Sequence, residues 1–117
     1  MAKATIKENR LVINLQDSRR VLALKSEISV DLSNITKAEV NPAAWEEKPK
    51  WWSPRIGTNA SCYYGGVFFQ EGNKVFYDLN RKEEAVVITL KDEKYCQLVI
   101  GVDNPDEVVE LIQAALK

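Results

Sequence analysis

The residues of this chain most able to do chemistry lie in one segment, Trp45-Glu-Glu-Lys-Pro-Lys-Trp-Trp-Ser-Pro-Arg55. Tryptophan joins a large apolar ring to one N–H donor, so it favours interfaces and membrane boundaries. Trp51 and Trp52 can insert into a membrane surface while Lys48, Lys50 and Arg55 meet anionic headgroups. The same cations, with Trp45, can instead frame a pocket for a protein partner. Glu46 and Glu47 neutralise two of the three cations, which weakens the membrane version. A third arrangement folds one or two tryptophans back over the core, because large aromatic side chains are usually mostly buried. The sequence leaves all three open.

A catalytic set is hard to assemble from what remains. The chain has no histidine. That removes the usual general base, the Ser-His and Cys-His pairs and the commonest zinc ligand. Cys62 and Cys96 have no metal-type spacing and do not make a secreted disulfide framework. The acid pairs Glu46-Glu47, Glu83-Glu84, Asp92-Glu93 and Asp106-Glu107 fall in predicted turns or at a helix start. Acid–base work needs paired carboxylates held in a cleft with separated pKa values. Tyr63-Tyr64-Gly65-Gly66 lacks the Lys-Ser/Thr tail of a phosphate-cradling loop and reads as a turn or bulge before Val67. The expectation is a chain with no catalytic residues, no metal and no cofactor.

Length and composition bound the rest. The 117 residues suffice for one domain, 1–117. Hydrophobic and charged fractions of 45% and 28% belong to globular rather than disordered chains. The net charge of −1 argues against nucleic acid, whose binders neutralise phosphates with a clear positive excess. Residues 1–58 are mildly basic and residues 59–117 mildly acidic, which reads as ordinary mixed surface charge. No apolar run follows the first lysine, and none approaches the ~20 residues of a membrane helix. The expected compartment is the cytoplasm.

Period-two alternation predicts strands around Leu11–Leu15, Val21–Leu24, Ile28–Leu32 and Ile35–Val40. Pro42 to Gly57 breaks the pattern and reads as a long surface connection. Strands resume at Val67–Gln70 and Lys74–Leu79, joined through Glu71-Gly72-Asn73, a hairpin signal. Ala85–Lys91 and Tyr95–Val102 follow, with Cys96, Leu98, Ile100 and Val102 on one face. Asn104-Pro105-Asp106-Glu107 then starts a helix over about 105–117, through a capping side chain, proline at the first position and acids in the first turn. Its predicted apolar stripe is Val108, Leu111, Ile112, Ala115 and Leu116.

Several of these segments, taken in order, resemble bacterial PH-like (pleckstrin-homology-like) domains. They are Ile28-Ser-Val-Asp-Leu-Ser-Asn-Ile-Thr-Lys-Ala-Glu-Val40, Arg55-Ile-Gly-Thr58, Gly66-Val-Phe-Phe69, Glu84-Ala-Val-Val-Ile-Thr-Leu90 and Leu98-Val-Ile-Gly-Val-Asp-Asn-Pro-Asp-Glu-Val108. Ile56 stands where proline is commoner in that family's loop. The resemblance implies an α+β, mainly β chain: a bent antiparallel barrel of about seven strands with one end capped by the C-terminal helix. It also implies a non-catalytic binding module for protein, peptide or lipid, since the fold is reused for all three. Lys7, Arg10, Arg19, Arg20 and Lys25 stand around the first hairpin loops but lack the spacing of an inositol-phosphate site. The functional expectation is protein–protein interaction or self-association. Peripheral association with anionic membrane through the Trp45–Arg55 loop is the alternative.

Overall fold

The computed structural model describes residues 3–15, 27–49, 54–59, 62–70 and 72–116. Among them run β1 (Lys3–Lys7), β2 (Arg10–Asn14), β3 (Glu27–Asp31), β4 (Ile35–Asn41), β5 (Arg55–Asn59), β6 (Tyr63–Gln70), β7 (Asn73–Asn80), β8 (Glu84–Leu90), β9 (Gln97–Val102) and a helix, α1 (Pro105–Ala115). A 3-10 turn at Leu32–Asn34 joins β3 to β4, and Asp31 Oδ1 caps it by accepting from Ser33 N at 3.0 Å.

The mainly-β composition and the single C-terminal helix agree with expectation; the closed PH-like barrel does not form. The strands make two open sheets, one ordered β1-β2-β3 and the other β4-β8-β9-β7-β6-β5. The strand order also departs from a simple meander in two ways. First, β4 and β5 follow each other in sequence yet form opposite edges of the larger sheet. Six strands about 4.8 Å apart separate those edges by roughly 24 Å, so the connection between them has to cross a face. Second, β9 inserts between β7 and β8, parallel to β7 and antiparallel to β8. Residues 81–83 therefore pass over the end of β9. Gly101 leaves room for them, since a Cβ there would run into the Glu83 side chain.

The smaller sheet and α1 cover one face of the larger sheet. Leu11, Ile13, Ile28 and Val30 meet Phe76, Val86, Ile88, Leu98, Ile100 and Ile112 in one aliphatic-rich core. Helix α1 buries Ile112 fully, with Val108, Val109 and Ala115 packed alongside, while Leu111 and Leu116 stay 42% and 40% exposed. The predicted stripe is thus rotated by part of a turn toward Val109. Pro105 opens the helix, but Asn104 makes no side-chain capping bond. The other face of the larger sheet carries a second cluster of Tyr64, Phe68, Val75, Tyr77, Leu79, Val87 and Val99.

Several boundaries move. β1 was not foreseen, because only Ala4 and Ile6 alternate in it. It closes on β2 through Glu8 and Asn9, both at positive φ. β6 begins at Tyr63 rather than Val67, and Arg55–Asn59 is a strand rather than the end of a loop. Cys96 leaves the face of Leu98, Ile100 and Val102. Tyr95 occupies the core, and half-buried Cys96 packs on the second cluster. The strand predicted at Val21–Leu24 lies outside the described residues, as do Arg19, Arg20 and Lys25.

Candidate functional site

The connection leaving β4 starts as an Asx turn. Asn41 Oδ1 accepts from Ala43 N at 3.0 Å, and Asn41 Nδ2 donates to Glu47 Oε1 at 2.9 Å. These bonds fold residues 42–48 back and set Ala44 and Trp45 on the second cluster. The Trp45 ring meets Tyr64 edge-on, centroids 5.5 Å apart. Tyr64 stacks on Phe68 at 5.1 Å, and Tyr77 meets Phe68 edge-on at 5.3 Å. The Lys48 ammonium lies 4.3 Å from the Trp45 ring centre and donates to the Trp45 carbonyl at 3.1 Å. Such a cation–π contact contributes about 0.5–1 kcal/mol near a surface. Tyr64 Oη donates to the Pro49 carbonyl at 2.9 Å, tying the far end of the turns to the sheet. Burial pushes the Tyr77 hydroxyl up to about 12; a hydrogen bond with Gln70 opposes the shift, and the Glu47 carboxylate adds to it.

Beyond Pro49 no described residue of the connection covers the same face. It forms an open cleft of about 750 Å³ walled by Glu47, Lys48 and Pro49, with Phe69, Gln70, Val75, Thr89, Cys96 and Gln97 around it. Its polar groups are carboxamides, one hydroxyl, one thiol, one carboxylate and one ammonium. The two charged groups already bond within the turns. Among the described residues lining it, no nucleophile is paired with a base. Among the described residues, no three His, Cys, Asp or Glu side chains are placed to hold a metal ion. No helix among them is long and apolar enough to cross a membrane.

Of the six residues singled out from the sequence, Trp45, Lys48 and Arg55 are among the described residues. Trp45 and Lys48 are turned onto each other and onto Tyr64. Lys50, Trp51 and Trp52 lie outside the described residues. Arg55 is exposed and opens β5 at the sheet edge.

That edge has a definite chemistry. Pro54 O accepts from Phe69 N at 3.0 Å, so the hydrogen-bonded pairs of the β5–β6 ladder fall at Pro54/Phe69, Ile56/Val67 and Thr58/Gly65. The N–H and C=O groups of Arg55, Gly57 and Asn59 point the other way, away from β6. Gly57 and Gly66 face each other at a close, non-hydrogen-bonded position, both at positive φ. A Cβ on Gly57 would sit on the Gly65 carbonyl oxygen, and one on Gly66 would meet the Ile56 carbonyl oxygen. Ile56 is 56% exposed.

The opposite edge is closed. A bulge interrupts β4 between Ile35 and Lys37. Lys37 and Glu39 form an exposed ion pair at 3.4 Å, and Gln113 Nε2 from α1 donates to the Ala38 carbonyl at 3.3 Å. Charges, bulges and covering elements are the usual means of protecting a sheet edge. Strand alternation alone does not reveal this contrast. The available signal was a pair of glycines, Gly57 and Gly66, set within otherwise β-forming segments, which marks close backbone approach. Set against known proteins, the chain matches no family model, no curated protein and no solved structure.

Proposed function

We propose that the protein is a non-catalytic binding module that engages a protein partner by strand addition at β5. The observation that carries this reading is the asymmetry between the two edges of the larger sheet. β4 is closed by a bulge, an ion pair and a helix side chain, whereas β5 presents outward N–H and C=O groups beside exposed Ile56. An incoming extended segment would satisfy those backbone groups and cover Ile56. The histidine-free composition points the same way. The membrane alternative finds less to stand on, because Trp45 and Lys48 are engaged with each other and with Tyr64.

A photo-crosslinking residue placed at Arg55, which is exposed, tests the reading in native lysate. The expected result is a discrete crosslinked protein that disappears when Ile56→Lys is added but persists when Lys37→Gln alters the closed edge. Crosslinking unaffected by Ile56→Lys would sink strand addition at β5.

A further inference from the structure

Resting on the strand-addition reading, we infer that the partner strand at β5 is β5 of a second copy of this chain, paired antiparallel about Gly57. Three observations select this occupant. The outward backbone groups belong to Arg55, Gly57 and Asn59, a set symmetric about Gly57. A two-fold axis through Gly57 therefore matches donors to acceptors along the full strand: Gly57 pairs with Gly57 of the second copy, and Arg55 with Asn59. A shift by two residues keeps the parity of the bonds but shortens the overlap. The charges also fit. The antiparallel register keeps the two Arg55 guanidinium groups at opposite ends of the pair, whereas like charges directly opposite would be destabilising. Finally, Ile56 falls opposite Thr58 at the non-hydrogen-bonded position, where side chains lie closest. That gives the exposed isoleucine a β-branched neighbour.

The product is a continuous sheet running through both copies, closed by two-fold symmetry because the β4 edges at its ends are protected. The pairing surface is one five-residue strand. It belongs with small, transient interfaces, so the dimer forms and dissociates with concentration.

Sedimentation velocity of the full chain over a concentration series, with amide hydrogen exchange read at the same concentrations, tests the inference. The mass is expected to rise from one chain toward two. The Arg55, Gly57 and Asn59 amides should slow in step with it, while the inward Ile56 and Thr58 amides stay protected throughout. Arg55→Pro removes one outward donor without touching a β5–β6 bond, and Ile56→Lys places two cations near the axis. Each is expected to weaken dimerisation at least tenfold. A chain that stays monomeric at every concentration, with outward amides unprotected, overturns the second-copy inference. The crosslinking result above then decides separately whether a different protein adds its strand. A dimer that survives both variants, or whose outward amides do not slow, uses another surface and also overturns it.

Discussion

Among the described residues, one face of the six-stranded sheet is covered by a second sheet and a helix, and the other by a single run of turns. The first face is packed with Phe76, Val86, Ile88, Leu98, Ile100 and Ile112 against the aliphatic residues of β2 and β3. Its buried polar groups among the described residues include the Asp78 carboxylate, which accepts from Tyr63 Oη at 2.6 Å, and the Tyr95 hydroxyl, which has no hydrogen-bond partner among them. The second face is aromatic, and its hydroxyls are used. Tyr64 holds the Pro49 carbonyl, and Tyr77 bonds Gln70. The difference follows from the covering elements. A sheet and an amphipathic helix bring enough apolar surface to exclude water by packing alone. A turn-rich connection brings mostly backbone, so its described residues are held by hydrogen bonds and by the Trp45 ring. Where the described turns end at Pro49, the described residues of this face line a cleft.

The largest expected effect breaks the first face. Phe76→Ala empties a fully buried site between β7 and the smaller sheet. It should lower unfolding free energy by about 3–5 kcal/mol in urea titrations. A loss under 1 kcal/mol would mean that the two sheets are not packed as one core.

Next comes an alkaline test of the second face. In the unfolded chain the Tyr77 hydroxyl ionises near its ordinary 10.0, and in the folded chain at about 12. The folded state therefore keeps a proton that the unfolded state has lost, and stability falls as pH rises from 10 to 12. The fall from this group is of order 2–3 kcal/mol. Burial also raises the Tyr95 hydroxyl, which adds a loss of the same sign. Tyr77→Phe should flatten most of the decline in denaturation midpoints measured across that interval. An unchanged slope would show that Tyr77 is not shielded by the turns.

Smaller still is the tether. Tyr64→Phe keeps the ring stacked on Phe68 and removes only the bond to Pro49. A loss of about 1 kcal/mol is expected, together with redder and more easily quenched tryptophan emission as the turns around Trp45 loosen. The smallest effect has the opposite sign. Tyr95→Phe deletes a buried hydroxyl that bonds to nothing among the described residues, so stability should be unchanged or rise by up to about 1 kcal/mol. Destabilisation beyond that would reveal a partner for the hydroxyl and erase the contrast between the faces.

Much of the local structure is legible before folding is considered. Ala85–Leu90 and Leu98–Val102 are β-branched and apolar on both faces, as suits strands covered on both sides, and both sit centrally in the larger sheet. Gly72 at positive φ makes the β6–β7 hairpin, and Pro105 with Asp106 and Glu107 starts α1. The candidate site was only half legible. The Trp45–Arg55 segment stands out by composition, but whether Trp45 reaches solvent depends on Tyr64, Lys48 and the bonds of Asn41. Arg55–Asn59 looked like a loop because two prolines precede it and a glycine interrupts it.

By itself, then, the sequence determined where most strands and the helix lie, because alternation, helical spacing and turn chemistry act over a few residues. It also determined that histidine chemistry is absent. Only the tertiary structure decided that β9 enters between β7 and β8, that β4 and β5 become opposite edges, and that one of those edges is protected while the other pairs with no further strand among the described residues. Strand order is a non-local choice. Apolar strands of similar length can pair in many orders, and the selection rests on which arrangement buries both faces of the central strands while leaving a crossover short enough to pass over Gly101.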